Sequence, residues 1–168
     1  YRGAADFMDA NQPEFDRVTF EAIFALISGY DAFTSHIARR LQRAGLSPAG
    51  FNILIILNQP IYREEGCRLS QLGKILLVSK ANVTGVLDSL VKRGLAERID
   101  SPLDRRVKLA KSTPAGAILV AAMLPSHFRE IKRISNDLTA NEKRHLRDLL
   151  LKLRQSVLEA GEDPHDKT

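Results

Sequence analysis

The side chains best suited to chemistry in this sequence begin a short polar segment near its middle. Ser79 stands where it can cap a helix, and Lys80, Asn82 and Thr84 follow it with donor and acceptor groups. Lysine can bind guanine, asparagine can pair with adenine, and threonine can contact the thymine methyl group. A helix N-terminus also favours a phosphate, because its amides are free and its dipole is positive there. We predict a helix that binds double-stranded DNA; an ordinary polar helix face is the alternative.

A second charged group lies in the sequence "SPLDRRVKLAKS", at residues 101–112. Its turn-forming residues "SPLD" separate the preceding segment "LAERID" from "RVKLAKS". Both segments alternate with period two, which predicts a β-hairpin. Arg106 near its tip could enter a narrow minor groove, and Asp104 could hold that guanidinium by charge-assisted hydrogen bonds. Arg105 and Lys108 would contact phosphates. The alternative is that the Asp–Arg pair only ties the hairpin together.

The distribution of charge supports a polyanion-binding surface. The chain has 168 residues and a net charge of +5. Residues 68–111 contain ten Lys or Arg and four acids, a net charge of +6, which leaves −1 for the remainder. A basic block in a nearly neutral protein is typical of nucleic-acid binding, although it could also be a solvated face. Ser70, at the start of the block, is a further candidate for a phosphate contact.

Periodic apolar residues and capping signals predict the elements that position these groups. The predicted helices cover 14–44, 48–59, 69–77 and 79–93, then 114 toward 138 with Pro125 inside, and a last helix after the Thr139–Glu142 capping box. Ser47 and Pro48 begin the second of them, and "IYREEGCR" is a polar connector. The fold class is mainly α with a small β wing: a winged helix-turn-helix flanked by N- and C-terminal dimerisation helices.

The domain organisation follows from the same pattern. The long end helices carry more apolar surface than the small central unit can cover, so a second copy of the chain is the expected partner; packing within one chain is the alternative. We predict an N-terminal arm at 1–13, a helical dimerisation region at 14–46 and 114–160, a winged helix-turn-helix DNA-binding domain at 47–113, and a polar tail at 161–168.

Other chemistry has little support in the sequence. Its single cysteine, Cys67, excludes an internal disulfide framework and is typical of a reducing cytoplasm. We find no nucleophile–base pairing, no Gly-rich phosphate loop, no metal-ligand spacing and no apolar run long enough to span a membrane. The sequence therefore predicts a cytoplasmic protein that is not an enzyme and that needs no cofactor or metal.

Several motifs, in order and spacing, closely resemble the MarR family of bacterial transcription regulators. They are "GLSPAGFNIL", "VS-x-x-x-V-T" from Val78, "LDSLVKRGL-x-E-R", Asp104-x-Arg106 and Thr113-x-x-Gly116. The resemblance implies a homodimer that binds an inverted repeat and regulates transcription, usually by repression. This sequence departs from many relatives at Gly85 and Ser89, where they carry basic residues.

The resemblance also implies a small acidic or aromatic ligand that weakens DNA binding from a site beside the dimer helices. His36 and Arg40, four residues apart on the first long helix, could bind such an anion. Two alternatives stay open. One is a redox-responsive regulator that uses Cys67, and the other is a winged-helix module that binds an acidic partner protein.

Overall fold

The computed structural model describes residues 2–76, 80–102, 104 and 106–160, so the predicted tail at 161–168 lies outside the described residues. The chain divides into two compact units, residues 1–120 and 121–168. The described elements are α1 (Arg2–Asn11), α2 (Arg17–Gln42), α3 (Pro48–Leu57), α4 (Pro60–Arg63), β1 (Cys67–Arg68), α5 (Leu69–Leu76), α6 (Lys80–Lys92), β2 (Ala96–Asp100), β3 (Lys108–Ser112), α7 (Pro114–Ile134) and α8 (Ala140–Ala160). The mainly α fold with a small β wing is confirmed. None of the described helices combines the length and apolar character needed to cross a membrane.

The segment predicted as an arm contains a helix, α1. Apolar periodicity did not indicate it, because Ala5, with 1% of its surface exposed, is its only described residue in the core. Ion pairs link α1 to the start of α2: the Arg17 guanidinium lies 2.9 Å from the Asp6 carboxylate and 3.7 Å from that of Asp9. Such exposed pairs leave no apolar signature in a sequence, which is why this element was missed.

Helix α3 forms the centre of the first unit. Its N-terminus is capped as predicted: the Ser47 hydroxyl accepts a hydrogen bond of 3.0 Å from the Gly50 amide, and Pro48 occupies the first turn. Phe51, Leu54 and Leu57 are completely buried. Helix α3 contacts α2, α5, α6 and β3, so this one helix supports α6, the wing and the long helix α2.

The sheet has three antiparallel strands in the order β1-β3-β2. The predicted hairpin is β2 and β3, with Asp100 opposite Lys108. The connector "IYREEGCR" is more ordered than predicted, because it contains most of α4 and all of β1. Strand β1 pairs Cys67 with Ala110 and Arg68 with Leu109. Two residues are too few to show a period of two, so the sequence could not reveal this strand.

Helix α6 buries Val83, Leu87 and Leu90, which recur at helical spacing. Two other apolar residues that continue the helical spacing are not buried: Val91 is 37% exposed, and Ile75 on α5 is 47% exposed. The core side of these helices is therefore narrower than the apolar pattern suggested. An apolar residue at helical spacing is not always buried, since apolar atoms also make up much of a folded protein's surface.

The two C-terminal helices begin at the predicted caps. The Thr113 hydroxyl accepts a hydrogen bond of 3.1 Å from the Gly116 amide at the start of α7. The box before α8 is reciprocal: the Thr139 amide donates to the Glu142 carboxylate at 2.7 Å, and the Glu142 amide donates to the Thr139 hydroxyl at 3.3 Å. A hydrogen bond of 2.7 Å from the Thr139 hydroxyl to the Glu142 carboxylate, together with the one from the Thr139 amide, lowers the pKa of Glu142. Helix α7 continues through Pro125 and ends at Ile134, four residues before the predicted end.

We predict that Gly116→Ala destabilises the protein by roughly 1–3 kcal/mol, since overpacking a site that cannot relax is costly. A Cβ at Gly116 would lie 2.1 Å from the Leu95 carbonyl oxygen, a backbone atom. The same substitution at Gly85 meets no atom within 4 Å and should stabilise α6 by about 1 kcal/mol. Urea unfolding of both variants measures the difference. Equal effects of the two substitutions would contradict the assigned packing of α7 on Leu95.

Candidate DNA-binding site

The outer side of α6 carries two of the predicted DNA-binding side chains. Asn82 is exposed and Thr84 is half-buried, while Val83 between them is in the core. Gly85 follows on the outer side, with open space where a side chain would be. Ser79 and the side chain of Lys80 lie outside the described residues. The helix therefore presents a polar surface with a notch at Gly85.

The tip of the wing is organised by Asp104. Its carboxylate accepts a hydrogen bond of 2.9 Å from the backbone amide of Arg106, and its carbonyl accepts another of 2.9 Å from the Val107 amide. The predicted pairing of Asp104 with Arg106 thus involves the backbone and not the guanidinium. An aspartate that bonds the amide two residues later shapes a tight turn. This turn leaves the Arg106 side chain exposed; Arg105 lies outside the described residues.

Lys108, predicted to contact phosphate, pairs with Asp100 on the neighbouring strand. The two residues face each other in the β2–β3 ladder. Both side chains are exposed, and exposed pairs contribute little stability, so a phosphate could compete for this lysine. Its charge is nevertheless balanced locally, which the sequence did not predict.

An ion pair between α6 and the wing was also missed. The guanidinium of Arg98 on β2 lies 2.8 Å from the carboxylate of Asp88 on α6. The sequence showed these residues only as charges in the basic block, because their ten-residue separation has no helical or strand periodicity. The pair links the two elements that would enter neighbouring grooves of DNA.

The remaining predicted residues lie elsewhere on the first unit. Ser70 is exposed in the first turn of α5, a position open to a phosphate. On α2, His36 is half-buried and Arg40 is exposed, and their four-residue separation puts both on one side of the helix, next to the buried Ile37. Two grooves, of about 310 and 510 Å³, are lined by other residues, so His36 and Arg40 lie outside both. Among the described residues, no cluster of three or more His, Cys, Asp or Glu could hold a metal ion.

Cys67 lies in a poor environment for redox chemistry. It is completely buried on β1, and burial raises the pKa of its thiol from 9.0 to about 11. Because the thiolate is the reactive form, a thiol that stays protonated and inaccessible is unreactive. The structure therefore argues against the redox alternative.

We predict that the native protein reacts with a disulfide reagent such as DTNB only as fast as it unfolds. Cys67 is the single cysteine, so any fast labelling at neutral pH would contradict its assigned burial.

The raised pKa of the Cys67 thiol also predicts a pH dependence of stability. The Cys67 thiol ionises at a lower pH in the unfolded chain than in the folded one. Its contribution to the free energy of unfolding is therefore complete below pH 9 and is lost as the pH rises from 9 through about 11. Cys67→Ala, measured by urea unfolding, should lack this loss.

Comparisons with known proteins agree with this geometry. The family model described as "MarR family" matches residues 46–108, which run from two residues before α3 to the first residue of β3. The HTH-type transcriptional regulator MhqR of Bacillus subtilis is 31% identical over 121 residues, which are 71% of this chain and 81% of that protein.

Solved structures have the same fold. Bordetella bronchiseptica BpsR, studied for the regulation of its DNA binding by 6-hydroxynicotinic acid, is 25% identical with a TM-score of 0.69, covering 80% of this chain and 98% of that one. A mutant of Escherichia coli MarR complexed with operator DNA is 24% identical with a TM-score of 0.66, covering 79% and 93%. The chain belongs to the MarR family, whose members are DNA-binding transcription regulators and not enzymes.

Proposed function

We propose that this protein is a homodimeric repressor that binds an inverted repeat in double-stranded DNA and is released by a small acidic or aromatic ligand. The observation that carries the proposal is the outward polar side of α6, linked by the Asp88–Arg98 ion pair to a wing with an exposed arginine at its tip. Both elements lie in the segment of net charge +6. Such a protein would act in the cytoplasm.

Helix α6 is proposed to bind in the major groove. Asn82 and Thr84 are on its first turns and would contact base edges, with Lys80 beside them. Its N-terminus, with Ser79, would bind a phosphate, and Ser70 on α5 would bind another. The notch at Gly85 lets the duplex approach the helix backbone, at the cost of the basic side chain that many relatives have there.

The wing is proposed to bind the neighbouring minor groove. The turn fixed by Asp104 gives Arg106 a defined backbone position, and the exposed guanidinium would enter the groove. The negative potential is strongest where a minor groove is narrow and rich in A·T pairs. Arg105 and Lys108 would contact the flanking phosphates, Lys108 by exchanging Asp100 for a phosphate oxygen.

Apolar helix faces support a second copy of the chain as partner. On α2, the exposed apolar residues follow helical spacing, and α8 has an exposed apolar side of its own. They include Ile23, Phe24, Ile27, Tyr30 and Phe33 on α2, and Leu146, Leu149, Leu150 and Val157 on α8. Apolar surface of this extent is typical of an interface. A two-fold dimer would place two recognition helices about 34 Å apart, one turn of the duplex.

The proposed ligand is an acidic or aromatic molecule that binds near His36 and Arg40. Both side chains lie on the same side of α2, next to the buried Ile37, and could bind a carboxylate together. The related BpsR is regulated by 6-hydroxynicotinic acid, an aromatic acid. A thermal-shift screen of aromatic acids tests this part: a ligand that stabilises the wild type but not a His36→Ala, Arg40→Ala variant supports the site.

Binding to a palindromic duplex from the protein's own promoter region tests the main proposal. We expect Arg106→Ala to weaken binding by about 1–3 kcal/mol and to reduce the preference for A·T-flanked sites. The dependence of log Kd on log salt concentration should become shallower by about one charge. Fluorescence anisotropy measures both quantities. Arg39→Ala is the matched control, since it removes an equal charge from an exposed position on α2.

Equal losses in the two variants would mean that only overall charge matters. An unchanged affinity of the Arg106 variant would leave the wing a structural role alone. Binding of the wild type that ignores salt and sequence would favour the alternative function, recognition of an acidic protein.

The dimer is tested by a charge placed on the apolar side of α2. Ile27 is 60% exposed, and Ile27→Glu should shift the protein toward monomer and weaken binding to the full palindrome far more than to a half-site. Ala25→Glu is the control, because Ala25 is exposed roughly 160° around the same helix. Sedimentation velocity measures the assembly. A wild type that is monomeric at micromolar concentration would contradict the dimer.

A further inference from the structure

The end of α6 is tied to the end of α2 by one side chain. Arg93 directly follows α6, and its guanidinium donates hydrogen bonds to the carbonyls of Ala44, at 3.1 Å, and Gly45. These two carbonyls belong to the turn that ends α2. The contact joins residues 48 and 49 positions apart, so it is a tertiary link between the proposed DNA-binding helix and the proposed dimer helix.

The backbone on both sides of this link is well fixed. Gly45 has a φ of +67°, and the Leu46 amide that follows donates to the Leu41 carbonyl at 3.0 Å. At the other end, the Leu95 amide donates to the Leu90 carbonyl at 2.9 Å. Both helices thus stop at a glycine in the left-handed conformation, which holds the chain in one direction. The arginine therefore connects two rigid ends.

Gly45 also makes room for the guanidinium. A Cβ at Gly45 would lie 3.2 Å from one terminal nitrogen of Arg93 and 3.4 Å from its central carbon. The guanidinium is thus packed against the glycine while it bonds the carbonyls. A planar fork of donors suits two neighbouring carbonyls, and a cation at a helix C-terminus is favoured by the helix dipole. Lysine would keep the charge but not the fork.

We propose that Arg93 is a positioning residue for DNA binding, which holds α6 at a fixed angle to α2 and transmits movement of α2 to α6. The inference rests on the proposed function, in which α6 enters the major groove and α2 belongs to the dimer. Thr84 and Asn82, which would contact bases, precede Arg93 by nine and eleven residues, so Arg93 lies about 14–17 Å from them along the helix axis. A small rotation at Arg93 therefore moves the base-contacting residues, although Arg93 itself contacts no DNA.

Arg93→Met tests the inference, since it keeps a long side chain and removes both hydrogen bonds. We expect operator binding to weaken roughly two- to thirtyfold, the usual range for a coupling residue, with an unchanged salt dependence. Arg93→Lys should restore part of the affinity. The matched control is Lys92→Met, which removes the same charge from the neighbouring exposed residue. All variants are compared at a temperature where circular dichroism shows each of them folded.

Three results would overturn the inference. An Arg93→Met affinity equal to that of Lys92→Met would remove any positioning role. A salt dependence reduced by one charge would make Arg93 a phosphate contact instead. No recovery in Arg93→Lys, together with a large loss of stability, would indicate a folding role alone. Failure of the wild type to bind any promoter duplex is a separate outcome, because it contradicts the proposed function first.

A double-mutant cycle with Gly45→Ala gives independent support. The new methyl group would push against the guanidinium, so the substitution should weaken operator binding when Arg93 is present. Because Gly45 has a φ of +67°, the methyl group also strains the turn itself in either background, so only the affinities of folded protein are compared. Once Arg93 is methionine, the further loss of affinity should be smaller than when Arg93 is present, because the guanidinium is no longer there to be displaced. Losses that simply multiply would show that Gly45 and Arg93 act separately, which would contradict the link.

Discussion

Burial of α3 is the constraint on which the rest of the first unit depends. Phe51, Leu54 and Leu57 are fully excluded from solvent, and each such side chain contributes about 1.5–3 kcal/mol. The helix contacts α2, α5, α6 and β3 at once. The side-chain amide of Asn58, at the C-terminal end of α3, also donates a hydrogen bond of 3.0 Å to the Ser112 hydroxyl of the wing. One small core therefore fixes the elements that would bind DNA.

Polar links then set the finer geometry around α6. The Asp88–Arg98 ion pair joins this helix to the wing, and Arg93 joins its end to α2. These side chains are substantially exposed, so their contribution to stability is small. Their effect is on orientation: they hold α6 relative to the wing and to α2 more strictly than the apolar core alone would. DNA binding depends on that direction, since base contacts need close alignment.

Much of the fold was predictable because local hydrogen bonds determine where helices begin and end. Ser47, Thr113 and the Thr139–Glu142 box cap their helices as predicted, and Gly94 ends α6 with a φ of +68°. Period-two alternation identified the β2–β3 hairpin, and ordered motifs identified the family. The outward side of α6 and the exposed wing arginine also followed from helix and hairpin geometry. Each cap, turn and motif is read from residues that lie close together in the chain.

The sequence by itself determined the order of α2, α3 and α5 to α8, their capped ends, the wing and the basic character of the surface, because short-range bonding and periodicity decide them. Only the tertiary structure decided which side chains meet across the chain. Strand β1, the buried environment of Cys67, the pairing of Lys108 with Asp100, and the link from Arg93 to Gly45 all need partners brought together by the core. No local pattern contains such information, since the energy of each contact depends on a distant residue.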